Sequence, residues 1–438
     1  MAAATSRRGI WLPVLAVLAV RLSLIGLFGP SSAPTRDDTS VYYSVSKALT
    51  ESGHAWVQPG SEFGYRAPLY FIYLAGVFSV FRETGYRFAQ VATSVLGAVT
   101  CVLLFKVLLT VAGRREGWVA FCAYGLLPFF VLGDTFVMSE PLFGALLVGA
   151  VLAFLSPQLE RDWKRPMLLG FLVGLCMLTR EGAVGYPLIF GSGMVLIKGP
   201  VVNKVRGMLL FLCGLTLMLL PWMWRNQVVW GHALPLSYTS GPNLYIGNNP
   251  KTTGKWVAMT ENAPPNIKFG GPEASKWCAG KAVEFIRANP GQFMTNGFKK
   301  LAWLTFPSFD RDFLKLIYRG PSRLLNAMSV MSGAASAAFL LCAVTGFVLK
   351  KADRLWWLTC GLIAYHLSIT FVAIGSPRLR FPLEVILIPF ASAFAVGWGR
   401  VFRARHPGFV FKGSRTCALI LAIGILLCNW AYIALLKS

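Results

Sequence analysis

The sequence predicts an all-α polytopic membrane protein with about eleven transmembrane helices, and three observations carry that expectation. Of 438 residues, 55% are hydrophobic and only 14% are charged, whereas a soluble domain of this length carries about 25% charged residues. Apolar runs recur that approach the roughly 20 residues needed to cross a hydrocarbon core of about 30 Å. Basic residues return at every second connection between those runs, which is the positive-inside pattern of cytoplasmic loops.

The first run, Gly9 to Phe28, follows Arg7 and Arg8. Ser31-Ser32-Ala33 beyond it imitates a signal-peptide cleavage site, but the apolar stretch is long for a signal and reads as a retained helix. An outer loop, residues 30–86, then carries apolar residues at helical spacing from Val41 to Leu49, an amphipathic helix lying on the bilayer. Tyr65-Arg66-Ala67-Pro68-Leu69-Tyr70 leads into a second, aromatic-rich helix through Phe81. The runs Phe88–Leu109, Trp118–Leu132, Leu142–Leu155 and Met208–Trp224 follow as spans. Between the last two, Met167–Leu178 and Val184–Ile197 are short and Gly-rich, which predicts tilted or interrupted helices inside the bundle. A long outer loop, 226–322, has a turn-rich start through Gly247-Asn248-Asn249-Pro250 and a helix from about Glu273 to Ala288; it is too long for a connector and reads as a small cap. Leu324–Leu349, Leu355–Ile374, Phe381–Trp398 and Ala418–Leu436 complete the spans. The expected division is therefore an N-terminal transmembrane module 1–225 containing the first outer loop, the outer loop 226–322, and C-terminal transmembrane helices 323–438.

A net charge of +24 would suit nucleic acid if it were one patch. It is instead spread over alternate loops: Arg114/Arg115, Arg161/Lys164/Arg165, Lys198/Lys204/Arg206, Lys350/Lys351/Arg354 and Arg400/Arg403/Arg405/Lys412/Arg415. That excludes a nucleic-acid partner, and it places the N-terminus in the cytoplasm and both long loops outside. Most of the nine cysteines fall in apolar helices and the outer loops hold only Cys278, so no disulfide or zinc pattern emerges. His54, His232, His366 and His406 are scattered, and there is no Walker loop, dinucleotide fingerprint or HExxH.

Candidate chemistry gathers on the outer side. Asp37 and Asp38 lie just past the first span; the ordinary reading is a helix cap, the functional one a general base or metal ligand beside Arg36, Tyr42, Tyr43 and Arg66. Asp134 and Glu140 flank a short outer turn. Glu140 before Pro141 is explained by the helix dipole, yet an acid at the membrane boundary is costly enough to suggest a role. Arg180, Arg378 and Arg380 sit where the positive-inside rule gives no reason for them; they either snorkel or clamp an anionic lipid phosphate.

These pieces, in this order, resemble the GT-C membrane glycosyltransferases that use polyprenyl-phosphate sugars, the group of the aminoarabinose transferases and protein O-mannosyltransferases. The resemblance runs from the acidic start of the first outer loop with Tyr42-Tyr43, through Tyr65 to Tyr70, Ser139-Glu140-Pro141-Leu142-Phe143, Gly170 to Arg180, Pro221-Trp222 with Arg225-Asn226, Gly247-Asn248-Asn249-Pro250, Asn289-Pro290 and Arg378-Leu379-Arg380-Phe381-Pro382. It implies a GT-C fold, a catalytic base at Asp38 with Asp37 as the alternative, a second acidic site residue at Glu140, and lipid-phosphate ligands at Arg66, Arg378, Arg380 and Arg180. Tyr42, Tyr65, Arg225 and Asn226 would bind substrate. Where the aminoarabinose transferases have Glu-Lys-Pro-Pro this chain has Tyr65-Arg66-Ala67-Pro68, so an acidic metal-binding position is absent and a divalent metal is left open.

The resemblance further implies a polyprenyl-phosphate-linked sugar as donor, a lipid, glycan or protein acceptor, and a bacterial inner membrane with the active site on its periplasmic face. The expected reaction is inverting transfer of the sugar. A transporter or flippase of a lipid-linked sugar is the alternative; it would distribute acids and arginines along a crossing path and carry an inverted repeat, and no repeat is visible.

Overall fold

The computed structural model describes residues 9–30, 38–52, 62–159, 162–197, 199–235, 237–254, 271–308, 314–315, 318, 320–404 and 413–437. Its helices are α1 (Trp11–Phe28), α2 (Asp38–Ser52), α3 (Glu62–Tyr65), α4 (Leu69–Phe81), α5 (Tyr86–Val111), α6 (Arg114–Leu126), α7 (Pro128–Asp134), α8 (Glu140–Phe154) and α9 (Lys164–Thr179). There follow α10 (Tyr186–Leu196), α11 (Val201–Trp230), α12 (Ser240–Ile246), α13 (Pro272–Ala288), α14 (Pro290–Thr305), α15 (Ser322–Leu349), α16 (Arg354–Val372), α17 (Phe381–Ala404) and α18 (Gly413–Lys437). Asp37, Arg36 and His54 lie outside the described residues.

The protein is an all-helical, multi-pass membrane protein. Seven of the described helices are long and apolar enough to cross a membrane, eight if α6 and α7, bent by 60°, form one broken span. The break falls at Leu127, extended with ψ 128°, before Pro128; proline biases its predecessor away from helical geometry and has no N–H to continue the ladder. The two short Gly-rich runs are indeed short helices, α9 with 16 residues and α10 with 11. A Cβ on Gly170 would lie 1.9 Å from the Phe211 carbonyl oxygen, and one on Gly214 2.1 Å from that of Met167. The glycines thus let α9 and α11 cross backbone to backbone, the small-residue packing available to helices that cannot rely on water exclusion.

The buried centre is built on α5, α8 and α17; Val385, Ile388 and Phe390 of α17 are fully buried. Inside it, Arg21 of α1 pairs with Asp134 at the end of α7, Nη2 to Oδ2 at 2.7 Å, and Tyr124 donates to Oδ1 at 2.9 Å. Asp134, an outer-turn candidate by sequence, is therefore turned into the bundle, where the guanidinium and phenol satisfy its charge.

Helix directions alternate, which puts Arg114, Lys164, Lys204, Lys350 and Arg354 at one end of the bundle and the starts of α2 and α8 at the other. At that second end α2 lays Thr39, Tyr42 and Ser46, one face at helical spacing, against α4. From the long loop 226–322, α14 packs on α16 and α18, and the Trp430 indole N–H donates to the Thr305 carbonyl at 2.7 Å.

Candidate active site

Five side chains from five separated stretches of sequence meet at the end of the bundle opposite the basic loops. Asp38 opens α2, Arg66 precedes α4, Glu140 opens α8, Arg180 closes α9, and Arg378 sits on a 3-10 turn (Pro377–Arg380) leading into α17. The two acids lie at helix N-termini and Arg180 at a helix C-terminus, so each charge complements its helix dipole. The 3-10 turn is set by Ser376, whose hydroxyl accepts from the Arg378 amide at 3.4 Å, and by Pro377 at the first turn position.

The charges interlock. Arg66 Nη1 reaches Asp38 Oδ1 at 2.9 Å, and Arg378 Nη1 reaches Asp38 Oδ2 at 2.5 Å. Arg378 Nε also donates to Glu140 Oε1 at 2.5 Å, the same oxygen that Arg180 Nη1 approaches at 2.8 Å. Met138 Sδ lies 3.7 Å from Arg378 Nη2. Glu140 is the floor of the site, its side chain 9% exposed, while Asp38 at 29% and Arg378 at 38% form the mouth. Glu140 Oε2 is buried and has no hydrogen-bond partner among the described residues. Burial pushes the Asp38 carboxyl up, but the guanidiniums of Arg378 and Arg66 outweigh it and hold the group below its ordinary value.

Tyr42 and Tyr65 flank Arg66, whose guanidinium carbon is 5.8 Å and 6.0 Å from their ring centroids. Tyr42 is buried, donates to Ser139 Oγ at 3.3 Å and meets Tyr70 edge to face. The other sequence candidates sit elsewhere. Arg380, two residues past Arg378, points the opposite way: Nε pairs with Glu384 at 2.7 Å, Nη2 with Ser336 at 2.8 Å, and Nη1 with the carbonyls of Leu304 and Phe306. It ties α17 to α15 and α14 and does not reach the Asp38 cluster. Arg225 is buried against Trp222 and Phe63 and donates to Asn226, whose own amide holds the Leu234 carbonyl at 2.8 Å; the pair anchors the start of the loop 226–322.

Sequence reasoning gave no role to two groups beside the site. Glu181, next to Arg180, accepts from the Ser237 hydroxyl and from the Thr239 amide at 3.2 Å, and burial pushes its carboxyl up to about 7. Tyr238 between them donates its amide to the Tyr65 carbonyl at 3.1 Å, so this stretch of the loop 226–322 is pinned beside Arg66. Lys300 of α14 is buried, donating to Asn248 Oδ1 at 3.1 Å and to the last carbonyls of α16, Phe371 at 3.2 Å and Val372 at 3.1 Å. The acid after an outer arginine was visible in sequence; nothing in sequence singles out Lys300. Among the described residues no three His, Cys, Asp or Glu side chains come together, and Asp38 and Glu140 are both engaged by guanidiniums.

No protein-family model matches the sequence, and no curated protein does. Among solved structures, the oligosaccharyltransferase of Archaeoglobus fulgidus in its apo form superposes with a TM-score of 0.52 at 12% identity, covering 97% of this chain and 55% of that one. Its complex with Zn and sulfate gives a TM-score of 0.53 at 13% identity, with 95% and 52% covered. ArnT from Cupriavidus metallidurans bound to undecaprenyl phosphate matches at a TM-score of 0.44 and 11% identity, over 90% of this chain and 78% of that. The chain thus spans about half the length of the oligosaccharyltransferase. At these identities the likeness is one of architecture: the chain shares the helical membrane fold of the Archaeoglobus fulgidus oligosaccharyltransferase over the part of that protein it covers.

Proposed function

We propose that the protein is an inverting glycosyltransferase that moves a sugar from a polyprenyl-phosphate carrier to an acceptor hydroxyl or amine at the outer face of a bacterial inner membrane. The observation that carries this reading is the meeting of two carboxylates and three guanidiniums at one end of the bundle, the end away from the basic loops.

The chemistry follows from that charge set. Arg66 and Arg378 hold the phosphate of the donor at the mouth, bidentately as guanidiniums hold phosphate oxygens. The acceptor attacks the anomeric carbon on the face opposite the phosphate; the carbon–oxygen bond to phosphate breaks as the new bond forms, and the electron pair leaves on the lipid phosphate. Asp38, or Asp37 in its place, takes the acceptor's proton. One displacement inverts the anomeric centre. Arg378 and Arg180 keep Glu140 ionised and in place. Fixed positive charge at a partly desolvated site stabilises the charge that develops on the leaving group. The outer loop 226–322, pinned by Glu181 and Asn226, covers the acceptor.

The test is turnover of a polyprenyl-phosphate sugar in native membranes at matched expression. Asp38→Asn is expected to lose at least about 100-fold of the rate, the usual order for a general base, and Arg66→Ala to raise the donor KM and lower kcat. Full activity in both variants would remove these residues from the mechanism, and a wild type that consumes no such donor would remove the transferase reading itself.

A further inference from the structure

We propose that Asp38 is a displaceable counter-ion: the phosphate of the donor replaces it on Arg66 and Arg378, and only the donor-loaded site releases Asp38 to take the acceptor's proton. Donor binding then has to precede acceptor activation. This rests on the reading of the site as a polyprenyl-phosphate sugar transferase.

In the structure the arginines that would hold phosphate are occupied by the very carboxylate that has to act as base. Each oxygen of Asp38 is taken by a guanidinium, Oδ1 by Arg66 at 2.9 Å and Oδ2 by Arg378 at 2.5 Å. A carboxylate so held is a poor base, because its charged form is stabilised by two cations. Asp38 takes Nη1 of both guanidiniums, and Arg378 spends Nε on Glu140, so a phosphate that bridges the two arginines through those Nη1 donors displaces Asp38. Three features make Asp38 the member that yields. It lies at the exposed mouth, whereas Glu140 is the buried floor and remains to anchor Arg378 and Arg180. It is the first residue of α2, so its side chain can swing without unwinding the helix. The donor's phosphodiester offers two non-bridging oxygens and one negative charge, the same set as the carboxylate, so it can take over both guanidinium contacts one for one. Displacement removes both cationic neighbours from Asp38 and moves its carboxyl back toward ordinary basicity at the moment the leaving group is in place.

The exchange is tested by equilibrium binding of farnesyl phosphate, a donor headgroup without sugar, to the full-length protein in detergent. Asp38→Asn and Asp38→Ser remove the competing charge while keeping a side chain suited to a helix start. Both are expected to bind farnesyl phosphate about five- to tenfold more tightly than wild type. Glu284→Gln, an equal loss of charge on the exposed face of α13, is expected to leave affinity unchanged. Affinity equal to or weaker than wild type in both Asp38 variants, or the same gain in Glu284→Gln, overturns the exchange while leaving the transferase reading intact. Absence of binding in every protein overturns both. Inorganic phosphate in parallel separates headgroup from tail: the same gain at lower affinity throughout supports exchange with a lipid phosphate, and equal affinity for the two probes would make this a site for free phosphate instead.

Discussion

At the scale of single residues, neighbours decide what each charge does, and sequence alone does not fix the neighbours. Glu181 shows this most simply. Buried against Ser237 and Thr239 with no cation among the groups that shift it, its carboxyl rises from an ordinary 4.5 to about 7. A group whose folded value is raised contributes stability that is fully present below its unfolded value and is lost as pH climbs through the folded one. Thermal stability is therefore expected to fall between about pH 4 and pH 7 by the part Glu181 contributes, and to level off above. Glu181→Gln keeps an acceptor for both donors and removes the titration, so it should melt higher than wild type at pH 8 and match it near pH 4. A variant that melts lower at pH 8 would show that the ionised form is the one the fold prefers. The same residue scale explains what was legible. Arg180 and Arg378 stood out because the positive-inside rule gave them no reason to be outside, and the structure brings both to Glu140. Arg380 stood out equally, but the tight turn at Pro377 sends it the other way, and its partner Glu384 one helical turn later was the clue.

At the scale of elements, the site is assembled from helix ends, and whatever holds those ends sets its geometry. The segment carrying Arg378 leaves α16 under the outer loop, where a Cβ on Gly247 would meet the Ala373 carbonyl at 1.6 Å and one on Gly375 the Lys300 backbone at 2.5 Å. Lys300 fixes that segment by capping the end of α16 with its ammonium. Lys300→Met removes the ammonium donor from the Asn248 oxygen and the Phe371 carbonyl, while the Val372 carbonyl keeps the Asn248 amide, at a cost of about 1 to 3 kcal/mol. Because those carbonyls lead directly into the Arg378 turn, the donor KM is expected to rise several-fold while kcat changes less. Steady-state kinetics on a variant shown to be folded checks this, and an unchanged KM would separate the outer loop from the site. Helix ends were readable in sequence within a residue or so, as for α13, expected from about Glu273 to Ala288 and found at Pro272–Ala288. The contact between α14 and α16 was not, since a lysine in a long outer loop reads as solvated until the fold buries it.

At the scale of the whole molecule, alternating helix direction turns a loop-by-loop charge pattern into a two-ended object. One end carries Arg114, Lys164, Lys204, Lys350 and Arg354; the other carries the Asp38–Arg378–Glu140 network and the helices of the outer loop. This sorting was legible because hydropathy and lysine–arginine bias are properties of segments and need no tertiary contacts. The short Gly-rich helices α9 and α10 were marked in the same way, but the break of α6 at Leu127–Pro128 was not, since it falls inside one apolar run. The orientation that follows is open to direct measurement in a cysteine-free background, the natural cysteines being unpaired. A single cysteine at Glu284, exposed on α13, is expected to react with a membrane-impermeant maleimide in intact spheroplasts. One at Glu116, in the first turn of α6, is expected to react only after the membrane is opened. The reverse pattern would place the arginine–carboxylate network on the cytoplasmic side, where a lipid-linked sugar is met before it is flipped, and the outer-face transferase would have to be abandoned even if the site chemistry stood.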